Sequence, residues 1–139
     1  MNQLKVFTVK EANDLLPSLT PLLQELRTKR DALLKLELEI DTLEIISEKN
    51  HEGVSPAVTR KVEEYTQAVN RFYAIADAVH ETGCVLKDVD TGLVDFYSLY
   101  HGKVVYLCWR LGEPEVACWH EIGSGFANRQ PIEDAAADH

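Results

Sequence analysis

Val79-His80-Glu81-Thr82-Gly83-Cys84-Val85-Leu86-Lys87-Asp88-Val89 is the stretch where this chain changes its period. Before Gly83 the apolar residues recur three and four apart, as on one face of a helix. After it they alternate, as on a strand. A glycine at the change can take the left-handed conformation that closes a helix. The reading is α+β: helices first, then a sheet.

Working backward, Ser55-Pro56 is a cap followed by proline, and a helical seam runs through Val58, Val62, Tyr65, Val69, Phe72, Ala76 and Val79. Asn50-His51-Glu52-Gly53-Val54 separates it from an earlier seam of Leu19, Leu22, Leu26, Leu33, Leu36, Ile40 and Leu43, where Lys29 is the one polar member. Thr8 and Glu11 have the spacing of a capping box. Pro17 and Pro21 predict an interruption, because proline lacks the N–H and clashes with the preceding turn. A short helix from Val9 to Leu16, a bend, and a restart capped by Thr20 follow from that. The two long helices span about 30 and 27 residues, or roughly 45 and 40 Å. Residues 9–50 and 56–82 thus make a long antiparallel helical hairpin.

Working forward, Cys84 to Val89 is a first strand, ended by Asp90-Thr91-Gly92. Leu93 to Leu99 and Lys103 to Trp109 pair across Tyr100-His101-Gly102. Leu111-Gly112-Glu113-Pro114 turns the chain into a fourth strand, Glu115 to Glu121. Residues 84–121 read as a small antiparallel β-meander of four strands. Residues 122–139 read as an irregular C-terminal segment with a polar tail from Glu133 to His139. At 139 residues the chain, 1–139, is the size of a single domain.

The formal net charge is −9, which repels phosphate backbones and makes nucleic acid an unlikely partner. Arg27, Lys29 and Arg30 are the only tight basic cluster, and acidic residues flank it. No run approaches the roughly 20 apolar residues that span a bilayer, so no membrane is expected. Met1 to Lys10 lacks the charged, apolar and small-residue pattern of a signal peptide. With that and an odd count of cysteines (Cys84, Cys108, Cys118), free thiols and a cytoplasmic location are expected.

Leu34, Leu38, Ile45 and Ile46 lie off the first seam, so Leu33 to Ile46 is apolar around most of its circumference. Such a helix needs a second neighbour. The sheet of the same chain or the hairpin of another chain can supply one, and a homo-oligomer, most simply a dimer, is the expectation.

Polar and aromatic residues are densest from Lys87 to Pro131. Asp95, Arg110, Glu113, His120, Glu121 and Arg129 are the binding candidates, since a histidine among carboxylates and arginines is equipped for proton transfer. Cys108, Cys118 and His120 are candidate metal ligands. Without a Cys-x-x-Cys knuckle, a buried-thiol reading is favoured over metal for the cysteines. No cofactor is expected, a divalent metal being the exception the cluster admits. Strand alternation puts Arg110 on the face of His120 and Glu121 on the opposite one. Arg129 is expected to anchor the C-terminal segment on Glu113 or Glu121.

Four segments together resemble a known family. They are Phe7-Thr8-Val9-Lys10-Glu11-Ala12-Asn13 with Leu15-Leu16-Pro17; Leu86-Lys87-Asp88 with Gly92-Leu93-Val94-Asp95-Phe96; Leu107-Cys108-Trp109-Arg110-Leu111-Gly112-Glu113; and Trp119-His120-Glu121 with Gly125-Phe126-Ala127-Asn128-Arg129-Gln130-Pro131. The family is an uncharacterised bacterial one, domain of unknown function 2203. The resemblance implies bacterial origin and a cytoplasmic setting, and carries no established activity. The functional expectation is therefore a non-enzymatic, self-associating assembly or binding module. The alternative is a small-molecule or metal-dependent enzyme using the cluster around Asp95, Glu113 and His120.

Overall fold

In the computed structural model, which describes residues 4–51, 53 and 55–133, the expected capping box starts the first helix, α1 (Val9–Lys49). The Glu11 N–H donates to Thr8 Oγ1 at 3.0 Å, and the Thr8 N–H donates back to the Glu11 carboxylate at 2.8 Å. The expected bend at the prolines does not occur. α1 is one helix of 41 residues that runs through Pro17 and Pro21. Both prolines are exposed and lie four residues apart, on one side of the helix. Leu16, Leu19, Leu23 and Leu26 are buried on the other side and keep the helix seated. Thr20 caps nothing; its hydroxyl donates to the Leu16 carbonyl at 2.8 Å, a bond made inside a continuing helix.

The second helix, α2 (Pro56–Glu81), begins where Ser55 was expected to cap it: Ser55 Oγ accepts from the Val58 N–H at 3.1 Å. Five antiparallel strands follow: β1 (Val85–Asp88), β2 (Leu93–Tyr100), β3 (Lys103–Arg110), β4 (Cys118–Glu121) and β5 (Gln130–Pro131), in the sheet order β1-β2-β3-β4-β5. Of the expected polar tail only Glu133 lies among the described residues. His139 lies outside them, as do Glu52 and Val54 of the interhelical link.

The chain divides into two compact units, Glu25–Ala76 and Met1–Gln24 with Asp77–His139. The first is a helical hairpin. Leu33, Leu36 and Ala68 are its buried residues, with Tyr65, Val69 and Phe72 packed on them. Its antiparallel sense shows in two cross-links: Tyr65 Oη donates to Glu37 at 2.6 Å, and Lys61 pairs with Glu39 at 2.8 Å. The expected second seam holds at Val58, Tyr65, Val69, Phe72 and Val79; Val62 departs from it, 43% exposed, and Ala68 joins the buried residues.

In the other unit one face of the sheet carries the core. Val94, Phe96, Leu107 and Trp109 pack with Phe7, Ala12, Leu16, Leu19, Leu23 and Val79. Phe7 meets Phe96 edge-on at 5.1 Å between ring centroids. The segment before α1 is tied to β2 by backbone and side chain alike. The Phe7 N–H donates to the Tyr97 carbonyl at 2.7 Å, and the buried Ser98 hydroxyl donates to the Phe7 carbonyl at 2.6 Å. β2 and β3 are joined by a two-residue turn in which His101 and Gly102 both have positive φ, 53° and 77°. That is the type I′ geometry that matches strand twist.

Two expectations about the strands need correction. The fourth strand starts at Cys118 and not at Glu115. Val116 leaves the ladder, gives its N–H to the Asn13 side chain at 2.7 Å and buries its own side chain in the core. The meander also has five strands rather than four, because Trp119 pairs with Gln130 and Cys118 with Pro131. A two-residue strand ending in proline has no alternation to read.

Candidate functional site

The turn between β2 and β3 fixes the register of everything around it. Tyr100 faces Lys103, so Tyr97 faces Tyr106 and Asp95 faces Cys108. On the next strand Tyr106 faces His120 and Cys108 faces Cys118. Residues two apart share a face. The face opposite the core therefore presents Asp95, Tyr97, Tyr106, Cys108, Cys118 and His120 together.

Three of these are deeply enclosed. Asp95 and His120 are each 2% exposed and Cys108 is 1% exposed. One donor atom from each lies within 4.8 Å of the other two. His120 Nε2 is 3.2 Å from Asp95 Oδ2, and His120 Nδ1 is 2.9 Å from the Glu121 carbonyl. A carbonyl only accepts, so Nδ1 carries a proton and the ring's orientation is set. The Nε2–Oδ2 contact then holds a single proton shared between ring and carboxyl. Asp95 Oδ1 has no hydrogen-bond partner although it is buried. Burial pushes the Asp95 carboxyl above its usual range, and His120 and Lys87 pull against that. Burial likewise pushes the Cys108 thiol up to about 12, with Asp95 adding to the shift. Arg129 opposes the shift, and a thiol held protonated is a weak nucleophile. Tyr106 borders the cluster, its ring 5.4 Å from that of His120, and Lys87 Nζ lies 4.6 Å over the Tyr106 ring.

Arg110, Glu113 and Arg129 form a second group, which meets the first where the Arg129 guanidinium reaches the Cys108 sulfur. Arg129 grips Glu113 with both arms, at 3.1 and 2.6 Å, and each side chain is 22% exposed. Glu113 Oε1 also accepts from the Arg110 N–H at 2.8 Å, which closes the turn after β3. Phe126 stacks under Arg129 at 4.1 Å and under Arg110 at 5.0 Å. This group fastens the C-terminal segment to the sheet. Glu121 belongs to neither group: its side chain pairs with Lys103, on the far side of the strand from His120. Cys118 is half-buried, less covered than its expected core role requires, and all three cysteines are free.

Arg129 holds the Glu113 carboxyl below its usual range, with burial opposing and the Arg110 N–H assisting. A lowered carboxylate pKa contributes stability that is present above the unfolded value and lost as pH falls through the folded one. Arg129→Ala is therefore expected to cost about 1–3 kcal/mol at pH 7, and clearly less at pH 3. Urea unfolding of both proteins at the two pH values measures this, and an equal loss at both would mean the pair is not its source.

The sequence reading missed that Asp95 sits directly across from Cys108. The signal was present, because the turn at His101-Gly102 sets that pairing by counting outward.

No helix among the described residues is long and apolar enough to cross a membrane. No curated protein and no solved structure matches the chain. The model of the family described as Uncharacterized conserved protein (DUF2203) matches residues 5–132, and the chain belongs to that family.

Proposed function

We propose that the protein is a self-associating assembly module whose helical hairpin pairs with a second copy of itself. One observation carries this reading: Leu34, Leu38 and Ile45 are 50%, 68% and 60% exposed and stand on one line of α1. Their spacing of four and seven residues keeps them on one side of a 3.6-residue turn. That side is turned away from Leu33 and Leu36, which pack against α2. Ile46, 48% exposed, widens the strip. A solvated helix has no use for this much leucine and isoleucine on its back.

Charge favours a second copy as the occupant. Exposed Arg27 and Lys35 lie toward the start of the strip, and exposed Glu37, Asp41, Glu44 and Glu48 toward its end. Glu25, Asp31 and Lys49 run against the trend, and half-buried Lys29 and Arg30 keep the first end basic. Two copies laid antiparallel across Leu38 bring each basic end onto the other's acidic end. Such complementarity sets orientation more than affinity. The reading extends to a cytoplasmic protein that does not bind nucleic acid, supported by its free thiols and acidic surface.

Leu38→Glu tests the pairing, since it places a carboxylate at the centre of the strip without touching the buried seam. Sedimentation is expected to show a dimer for the parent and a folded monomer for the variant. A variant as dimeric as the parent would defeat the reading.

The buried Asp95–His120 pair favours a second reading, a metal- or small-molecule-dependent activity on the polar face of the sheet.

A further inference from the structure

We propose that Asp95, Cys108 and His120 form a binding site for a divalent cation of the zinc class. The proposal rests on the second reading above and names its cofactor.

The donor set comes first. One carboxylate oxygen, one imidazole nitrogen and one sulfur are the ligands that borderline-soft cations take, and all three donor atoms lie within 4.8 Å of one another. Magnesium and calcium want six or more oxygens, which this cluster cannot supply.

The unpartnered atom comes second. Asp95 Oδ1 is buried with no hydrogen bond in a protein interior where such atoms are rare. A cation seated between the three side chains would give it a partner.

The third observation is the orientation of His120. Its Nδ1 faces the Glu121 carbonyl at 2.9 Å, which leaves Nε2 to face the cluster. A histidine that ligates metal through one nitrogen characteristically donates through the other to a carbonyl or carboxylate.

The charges also balance. On binding, the ion replaces the proton shared by Asp95 and His120 and the proton on the Cys108 sulfur. The carboxylate and thiolate then neutralise its two positive charges, and both protons leave to solvent. A neutral assembly is the form in which a dication tolerates burial. Three protein donors leave the fourth tetrahedral position to an external ligand, as in catalytic zinc sites.

The test uses the full chain, reduced and stripped of metal by dialysis against a chelator, then titrated with cobalt(II) and zinc(II). The expected result is one cobalt per chain with a thiolate-to-cobalt charge-transfer band that zinc abolishes. Cys108→Ser and Asp95→Asn should weaken zinc binding on the order of 100-fold or more, since even the outer partners of metal ligands are worth 10–100-fold. A double variant, Cys84→Ala with Cys118→Ser, keeps Cys108 as the sole thiol and should retain the band. That result decides the matter even if the ligand variants fail to fold. A folded parent without the band, or a band that survives Cys108→Ser, overturns the site. Light scattering on the same samples separates this outcome from the assembly reading, which does not depend on metal.

Discussion

His120→Ala is expected to cost about 3–5 kcal/mol at neutral pH, the usual loss when one partner of a buried charged pair is removed. His120 makes the strongest bond to the Asp95 carboxyl, through Oδ2, with Lys87 and the Cys108 thiol assisting more weakly, while Oδ1 has no hydrogen-bond partner. The variant therefore leaves a buried carboxyl that must either stay protonated or pay for its charge. Asp95 is already held above the usual carboxylate range by burial, and removing the histidine lifts it further. A raised pKa contributes stability that is complete below the unfolded value and is lost as pH rises through the folded one. The deficit should then grow as pH rises above the ordinary carboxylate range. Replacing both residues with apolar ones should cost less than His120→Ala alone, because no orphaned group remains. Urea unfolding across a double-mutant cycle measures the coupling. Additive losses, flat with pH, would mean that the pair is not coupled.

Phe96→Ala should be comparably severe, about 3–5 kcal/mol, with the strand pairing intact. Phe96 is fully buried, faces Leu107 across the β2–β3 ladder, and meets Phe7 edge-on. Its loss opens a cavity where the segment before α1 is fastened to the sheet. Backbone bonds and Ser98 still hold that segment, which limits how far it can collapse into the gap. Chemical denaturation reads the effect directly. A loss under about 1 kcal/mol would mean that Phe7 and its neighbours refill the space.

Much of the architecture was legible because it rests on local rules. The capping box at Thr8 and Glu11 and the Ser55 cap each depend on a few adjacent residues and occur as expected, whereas the expected link Tyr100-His101-Gly102 is one residue shorter, because Tyr100 stays in the ladder opposite Lys103. The misreadings come where distant packing outweighs local cost. Pro17 and Pro21 are poor helix residues, yet four buried leucines on the opposite side of α1 outweigh the two lost bonds. Val116 looks like a strand residue but is drawn into the core, with Asn13 satisfying its N–H from far along the chain. Val62 alone leaves the expected second seam, because apolar character does not by itself say which residues a neighbouring helix covers.

The candidate site divides in the same way. Strand parity correctly separated Glu121 from His120, and of the two carboxylates expected for Arg129, Glu113 or Glu121, the structure pairs it with Glu113. The tight cluster depends instead on which residues face each other across strands. Asp95 and Cys108 belong to no ligand motif of fixed local spacing. Their meeting follows only from the register of the hairpin between β2 and β3.

Assembly through the back of α1 remains the claim on which the functional reading turns, and the mass of the protein in solution tests it most directly. Light scattering on the parent chain at micromolar concentration should report twice the chain mass of 15.7 kDa. A single species of 15.7 kDa at every concentration, with Leu34, Leu38 and Ile45 open to solvent, would contradict it.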